Sequence, residues 1–258
     1  MDIRIRFSKF GPVKYIGHLD LMRYFQKALR RSDLPITYTK GFSPHPVMSF
    51  AAPLGVGITS EGEYMDISLE EEIEVEKIKD ILNAQMAYGI EIISVAKRSS
   101  NKKAMAELAA ASYIVFFKRI NGDIRIDKDL ISDQIDKRIS NASSLVVTKE
   151  TKKSSRQVDL IPLIYQISCL NCFPVDKRDH YLPDWEHNGF LLGEEDPAVY
   201  MKVSARSSDN LRPELLMKTL LQPYADEEAY IPGIHRLDMF REDQGGLVSF
   251  GEGDLSNG

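Results

Sequence analysis

The chain opens with two contrasting hydrophobic patterns. In residues 2–8, Ile3, Ile5 and Phe7 alternate with polar side chains, which predicts a half-buried strand. From residue 19 to residue 32 apolar side chains recur every three or four positions, which predicts an amphipathic helix. The side chains of this helix predicted to face the core are Leu19, Met22, Phe25 and Leu29.

The pattern of apolar and polar residues also predicts a complete small unit that ends near residue 96. A second helix is predicted from residue 70 to about residue 85 by its apolar stripe. The strands predicted after the first helix are residues 36–40, 47–51, 63–69 and 90–95. The order strand, helix, strand, strand, helix, strand is that of a ferredoxin-like unit, in which two helices cover one face of an antiparallel sheet.

A second round of elements is predicted in the rest of the chain. Its predicted elements are strands at 112–120, 145–149, 157–168, 199–205 and 234–240 and helices at 127–141 and 211–221. We therefore predict an α+β protein of two tandem ferredoxin-like (βαββαβ) units with antiparallel sheets. The predicted domains are a first unit at 1–96, a linker at 97–111, a second unit at 112–243 with an insertion at 169–198, and a flexible tail at 244–258.

The composition is that of a globular protein, with 43% apolar and 28% charged residues among 258. No apolar run approaches the roughly 20 residues that span a bilayer, and residues 1–6 lack the apolar stretch of a signal peptide. Two cysteines are too few for a disulfide framework or for an iron–sulfur cluster held by cysteines. We expect a cytoplasmic protein with no membrane partner and no cofactor.

Charge is distributed unevenly along the chain. The net charge is −5, yet residues 1–50 contain nine Lys or Arg against three Asp. A basic first fifth on an acidic remainder indicates a local anion-binding face, for which phosphate groups are the usual biological target. A solvated helix that happens to be rich in Lys and Arg is the alternative interpretation.

Four basic side chains fall on one face of the first predicted helix. Arg23, Lys27, Arg30 and Arg31 are separated by steps of four, three and one, which stay within about half a turn. Asp20 in the first turn favours the helix N-terminus and can bind Arg23 three residues on. Asp20 is therefore a capping residue or, alternatively, a catalytic carboxylate.

The predicted loop at residues 41–46 reads Gly-Phe-Ser-Pro-His-Pro. Its two prolines restrict the backbone and present Phe42, Ser43 and His45 at fixed angles. We predict that the basic helix face, Lys40 and His45 form one anion-binding surface. An ordinary turn with an incidental histidine is the alternative, because Pro and Gly are common in turns.

Several of these segments resemble the radical-SAM-associated family of uncharacterised bacterial proteins. The segments that carry the resemblance are residues 15–23, 28–31, 34–35, 41–46, 49–51, 53–57 and 63–66, and more thinly 156–162 and 211–214. Members of that family are encoded beside, or fused to the C-terminus of, cobalamin-binding radical SAM proteins, often near a ribonuclease of the E/G type and ribosomal protein genes. The resemblance implies a cobalamin-binding radical SAM partner and no established activity. This chain departs from the family pattern at 169–198, which is longer and more irregular.

The insertion contains a weak candidate for a metal site. Cys169 and Cys172 are followed by His180 and His187, which together make the ligand set of a Cys2His2 zinc site. The spacing between the cysteines and the histidines matches no common zinc module. Two reduced cysteines at the end of a strand are the alternative, and we predict no metal.

Two histidines could share a functional pocket. His18 lies where the first loop enters the helix, and His45 lies in the loop between the second and third strands. With Asp20 and Ser43 they would form a polar site able to hold a phosphate, a base edge or a metal ion. In the alternative interpretation His18 caps the helix and His45 packs on the neighbouring prolines.

Three functions fit these features. The first is an accessory protein that binds RNA or another substrate, with Tyr15, Tyr38 and Phe42 stacking on bases. The second is an enzyme similar to the repeat-associated CRISPR endoribonucleases, with His18 or His45 as general acid or base at a 2′-hydroxyl. The third is a protein adaptor for the radical SAM partner. The sequence favours binding over catalysis, because it has no P-loop, nucleophile motif, metal triad or radical SAM cysteine triplet.

Overall fold

The computed structural model describes residues 1–98, 100–119, 126–150, 155–182, 185, 190–222 and 230–253. The chain divides into two compact units. The first contains Met1–Ala109 and Arg236–Gly258, and the second contains Ala110–His235. The protein is a mixed α/β chain, and every strand pair with a described register is antiparallel. No helix in the described part of the chain is long and apolar enough to cross a bilayer.

The first unit begins with the predicted order of strands and helices. Its elements up to residue 97 are β1 (Asp2–Lys9), α1 (His18–Arg31), β2 (Met48–Phe50), β3 (Thr59–Ser68), α2 (Val75–Asn83) and β4 (Ile92–Lys97). β1 pairs with β3 on one side and with β4 on the other, and β2 pairs with β3. The alternation of apolar and polar residues in β1 therefore marks the two faces of a central strand rather than of an edge strand.

The core of the first unit lies between α1, α2 and one face of this sheet. Ile3, Ile5 and Phe7 of β1 are completely buried there, as predicted from the alternation. Phe25 of α1 meets Phe7 edge-on with ring centroids 4.8 Å apart, and both rings also contact Phe50 of β2. Edge-to-face contacts of this kind add to the gain from burying aromatic area.

The prediction for the buried face of α1 is wrong at Leu19. The buried residues of the helix are Leu21, Phe25, Ala28 and Leu29, and Met22 packs against them. Leu19 is 62% exposed, because it lies in the first turn two positions before Leu21 and so points away from the stripe that follows. The predicted helix boundaries, residues 19 to 32, agree with the observed helix to one residue at each end.

The strand predicted at residues 36–40 is reduced to two isolated bridges. Ile36 pairs with Leu69 and Tyr38 pairs with Pro46. The proline at position 46 has no N–H to donate, and beyond Tyr38 the chain turns back on itself, so a continuous ladder cannot form. This turn carries the Gly-Phe-Ser-Pro-His-Pro sequence.

Described residues of the predicted linker at 97–111 form a short helix that contacts the first unit. It contains α3 (Ala104–Glu107), and the next strand starts at Leu108. The main-chain N–H of Ala104 donates to Asp66 of β3 at 2.7 Å, and Glu107 accepts a hydrogen bond from Arg4 at 3.1 Å. These long-range partners could not be inferred from the local Lys-, Ser- and Ala-rich composition.

The second unit repeats the use of antiparallel strands with helices between them. Its elements are β5 (Leu108–Arg119), α4 (Lys128–Ile135), β6 (Val146–Glu150), β7 (Ser155–Asp159), β8 (Ile164–Leu170), α5 (Val175–Tyr181), β9 (Phe190–Leu191), β10 (Ala198–Ser204), α6 (Pro213–Leu221) and β11 (Tyr230–Asp243), which continues into the first unit. β10 pairs with β5 and β8, and β6 pairs with β7 in a separate two-stranded sheet.

The single strand predicted at 157–168 is two strands. A short 3-10 turn at Ile161–Leu163, with Pro162 in it, separates β7 from β8. Proline fixes its own backbone and cannot donate to a ladder, so the extended run is interrupted there. The predicted insertion at 169–198 contains α5 and β9 among its described residues.

The end of the chain returns to the first unit. Residues 236–243 of β11 run beside β3, followed by β12 (Gly246–Ser249) and α7 (Phe250–Gly253). Part of the predicted flexible tail at 244–258 is therefore ordered, because β12 pairs with β11 and Phe250 is buried. A Cβ at Gly62 would overlap the backbone of Leu237 and Asp238, so glycine permits the close approach of β11 to β3.

Replacing Phe25 by alanine should lower the free energy of unfolding by about 3–5 kcal/mol, because it leaves a cavity beside Phe7 and Phe50. The matched control is Leu19→Ala on the exposed side of the same helix, which should cost less than about 0.5 kcal/mol. Urea unfolding followed by circular dichroism measures both values. Equal losses for the two variants would contradict the orientation of α1.

Candidate functional site

The basic strip, defined as Arg23, Lys27, Arg30 and Arg31, lies on the exposed side of α1. All four side chains are exposed, as the spacing of the residues predicts. Their orientation follows from the burial of the opposite side of the helix against the sheet. The two arginines at the end of the helix also match the negative end of the helix dipole.

Two residues of the basic strip form an ion pair or hydrogen bonds with described neighbours, and the other two do not. Arg23 forms the predicted ion pair with Asp20 at 3.1 Å, and both side chains are 68% exposed. Arg31 donates to the side-chain and main-chain oxygens of Gln85 at 3.4 and 3.3 Å. Lys27 and Arg30 have no hydrogen-bond or ion partner among the residues that the structure describes. The strip therefore offers two uncompensated cations to a ligand.

The second predicted feature is a hairpin, which we call the tip loop (residues 39–45). The main-chain N–H of Thr39 donates to the carbonyl of His45 at 2.9 Å, and the N–H of His45 donates to the Thr39 hydroxyl at 3.1 Å. Gly41 has a φ of +125°, which only glycine adopts without strain. Phe42 is fully exposed at the end of the hairpin, and Lys40 is exposed beside it.

The two candidate histidines have different surroundings. His18 is the first residue of α1, and its half-buried ring meets Phe50 edge-on with centroids 5.4 Å apart. His45 is exposed, and its Nδ1 lies 3.0 Å from the carbonyl oxygen of Ser43 and 3.3 Å from the Thr39 hydroxyl. Within residues 1–98, no hydrogen bond or ring contact joins the two imidazoles. A pocket shared by His18 and His45 remains a prediction.

A buried lysine supports the loop that carries Tyr15. Lys9 is 1% exposed, and its ammonium donates to the main-chain carbonyls of Lys14 and Ile16 at 3.3 and 2.8 Å. Burial lowers the pKa of Lys9, and the nearby Glu63 carboxylate counters part of that effect. Tyr15 is exposed, and the Lys14 ammonium lies 5.2 Å from its ring centroid. The main chain on both sides of the exposed Tyr15 is thus hydrogen-bonded to the buried Lys9 ammonium.

The buried ion pairs of the first unit were not predicted from the sequence. Arg4 donates to Asp66 at 2.8 Å, and both side chains are at most 3% exposed. Arg236 donates to both oxygens of Glu63 at 3.1 and 3.3 Å. Arg4 and Asp66 face each other in the register of β1 and β3, so a correct strand pairing from sequence would have pointed to this contact.

The structure describes only part of the weak candidate for a metal site. Cys169 and Cys172 are free and half-buried, and burial raises the pKa of Cys169. The His180 ring contacts the Tyr181 ring with centroids 4.5 Å apart, and His187 lies outside the described residues. In the described part of the chain, no group of three or more His, Cys, Asp or Glu is placed to hold a metal ion.

Comparison with known proteins places the chain in a family. The sequence profile of a family described as an uncharacterized protein conserved in bacteria (DUF2344) matches residues 2–213, which is most of the chain. The chain belongs to the DUF2344 family. No protein of curated function matches it. The match to DUF2344 covers the whole of the basic strip and of the tip loop.

In this DUF2344 chain a second, partly buried polar cluster joins the C-terminal segment to β3. The Tyr64 hydroxyl donates to one oxygen of Asp238 at 2.5 Å, and the Ser249 hydroxyl donates to the other at 2.6 Å. The Phe250 ring lies against the Tyr64 ring, and the Arg4 guanidinium lies 4.5 Å from the Phe250 centroid. Burial, followed by the charge of Asp238, raises the pKa of Tyr64 above its ordinary value.

Replacing Tyr64 by phenylalanine should lower the free energy of unfolding by about 1.5–3 kcal/mol at neutral pH, because the hydrogen bond of the buried Tyr64 hydroxyl to the half-buried Asp238 carboxylate is lost. Since the folded-state pKa of Tyr64 is raised, its contribution is complete below about pH 10 and declines as pH rises further, where the unfolded chain loses this proton first. The variant should therefore lose less stability between pH 9 and pH 11 than the native chain.

Chemical unfolding at a series of pH values measures this difference. Tyr88→Phe is the matched control, because Tyr88 is an exposed tyrosine of the same unit. The control should follow the native pH dependence. A Tyr64→Phe chain with an unchanged slope above pH 9 would contradict the assigned hydrogen bond.

Proposed function

We propose that the chain is a non-catalytic accessory protein that binds RNA and works with a cobalamin-binding radical SAM partner. The observation that carries the RNA-binding part is the surplus of exposed positive charge at Lys27 and Arg30 on α1. Cations that protein carboxylates do not neutralise attract phosphate groups, and their release of counterions drives nucleic-acid binding. The net charge of the whole chain is −5, and the excess of positive charge lies in residues 1–50, where nine Lys or Arg stand against three Asp.

Exposed aromatic side chains support a single-stranded ligand. Tyr15, Tyr38 and Phe42 are all exposed in the first unit, and Phe42 stands at the end of the tip loop. Unpaired bases stack on such rings, whereas the bases of a duplex are already stacked on each other. Aromatic rings combined with a cationic groove are typical of proteins that bind single strands.

The order of elements supports two ferredoxin-like units. The first unit contains β1, α1, β2, β3, α2 and β4, and the second has a comparable order in β5, α4, β8, β10, α6 and β11. We infer the tandem arrangement from this repetition and from the antiparallel pairings. Open antiparallel sheets of this class occur in RNA-recognition modules.

The partner is inferred from the resemblance of residues 3–66 to radical-SAM-associated proteins. Such an accessory would hold an RNA substrate while the partner carries out the chemistry. Co-expression with the adjacent radical SAM protein and isolation through a tag on this chain test the association. Recovery of the two proteins as a stoichiometric complex is expected, and recovery of this chain alone at micromolar concentrations would contradict it.

An endoribonuclease is the second candidate, and one observation favours it. The contact of His45 Nδ1 with a main-chain carbonyl leaves Nε2 available to take a proton, which is what a general base at a 2′-hydroxyl requires. We prefer RNA binding to RNA cleavage as the function. None of the described contacts of His18 and His45 brings their two rings together, so His45 has no second titratable ring beside it among these contacts. Incubation of labelled RNA with the protein separates the two functions, since cleavage yields shorter products.

Neutralising Lys27 and Arg30 together should weaken RNA binding and reduce its salt dependence. For a single-stranded ligand, the loss of two phosphate contacts should lower the slope of log K against log salt by about 1.4. Fluorescence anisotropy with a labelled oligonucleotide between 50 and 300 mM salt measures this slope. The melting temperature should stay unchanged, because neither side chain has a described partner.

Lys102→Ala, Lys103→Ala is the matched control, since it removes two adjacent exposed cations outside the basic strip. The control should keep the native slope. Equal effects of the two double variants would show that binding follows total charge rather than the strip. Absence of binding by the native chain at 50 mM salt would overturn the proposed function.

A further inference from the structure

His45 is held within the tip loop by contacts with Thr39 and Ser43. Its main-chain carbonyl accepts a hydrogen bond from the Thr39 N–H at 2.9 Å, and its main-chain N–H donates to the Thr39 hydroxyl at 3.1 Å. Its Nδ1 then lies 3.0 Å from the main-chain carbonyl oxygen of Ser43. The imidazole is therefore positioned by the hairpin itself and does not depend on a distant element.

The contacts of Nδ1 indicate which ring nitrogen carries the proton. Nδ1 lies 3.0 Å from the Ser43 carbonyl oxygen and 3.3 Å from the Thr39 hydroxyl. A carbonyl oxygen can only accept a hydrogen bond and a hydroxyl can also accept one, so we assign the proton to Nδ1. A neutral imidazole has a single N–H, and Nε2 is then a bare acceptor. His45 is exposed, and the fully exposed Phe42 lies three residues before it in the same loop.

A hydrogen-bond acceptor at His45 Nε2 can bind only a group that donates a hydrogen bond. Phosphate oxygens are acceptors themselves, so neutral His45 does not bind the phosphate backbone at Nε2, in contrast to its expected place in the anion-binding surface. A ribose 2′-hydroxyl is a donor, and it is the group that distinguishes RNA from DNA. A base stacked on Phe42 brings its own ribose to the same end of the hairpin.

We propose that the tip loop is a nucleotide-binding site that selects RNA over DNA, with Phe42 stacking on an unpaired base and His45 Nε2 accepting a hydrogen bond from the ribose 2′-hydroxyl. This inference rests on the proposed RNA-binding function. In this proposal, two features of the first unit have different roles in RNA binding. The basic strip supplies affinity that does not depend on the sugar, and the tip loop supplies recognition of the sugar.

The test compares three oligouridylates of equal length that differ only at the 2′ position, which carries a hydroxyl, a fluorine or a hydrogen. Fluorine keeps the sugar pucker of RNA but cannot donate a hydrogen bond. At pH 8 the native chain should bind the hydroxyl form about three- to tenfold more tightly than the fluoro form, as one hydrogen bond predicts. His45→Ala should bind the hydroxyl and fluoro forms equally.

Two variants of the same loop serve as controls. Phe42→Ala should weaken the binding of the hydroxyl and fluoro forms by the same factor, because stacking does not involve the sugar hydroxyl. Lys40→Ala should also weaken both forms equally, because it removes a phosphate contact. A separate nitrogen-15 NMR spectrum of the imidazoles should show His45 with its proton on Nδ1, and a proton on Nε2 instead would overturn the proposal.

The outcomes separate this inference from the proposed function. If the native chain binds all three oligonucleotides equally, or if His45→Ala keeps the preference for the hydroxyl form, the tip-loop proposal fails while RNA binding stands. If His45→Ala weakens the hydroxyl and fluoro forms alike, His45 contacts the base or phosphate and the proposal also fails. If no oligonucleotide binds, the proposed function fails as well.

Discussion

The contact between Phe25 of α1 and Phe7 of β1 determines which residues the first unit can offer to a ligand. The two rings, with Phe50 against both, fill the space between helix and sheet. Rotation of α1 about its axis would expose Phe25 and bring a charged side chain against the sheet, which costs several kcal/mol. The cationic surface is therefore a consequence of aromatic packing on the opposite side of the helix.

The other face of β1 carries charge in a place where the alternating pattern indicated solvent. Arg4 and Asp66 are buried as a pair, and Glu107 is a further partner of Arg4. Removing one member of a buried ion pair typically costs about 3–5 kcal/mol, because the other charge stays without compensation. Such pairs tie β1 to chain segments far away in sequence, and no local pattern of apolar residues contains that information.

The predictions from sequence succeeded where a single helix or strand decides the outcome. The limits of α1 and the exposure of the basic strip follow from periodicity alone, since both are properties of one helix. The error at Leu19 arose because the first turn of a helix can lie outside its buried stripe. The contact of His45 Nδ1 with the Ser43 carbonyl depends on the direction of that main-chain group, and residue types do not determine that direction. The role of Lys9 likewise depends on two carbonyl groups of a turn.

The first unit is discontinuous along the chain, because Arg236 and Asp238 of β11 complete contacts of Glu63 and Tyr64 in β3. During synthesis the ribosome must make the whole of the second unit before these partners appear. At about 5–20 residues per second this interval lasts several seconds or longer. Over that time Glu63 and Tyr64 stay without their native partners, and the edge of β3 is open to other chains. The growing polypeptide is thus exposed to misassembly at β3 until its last long strand is made.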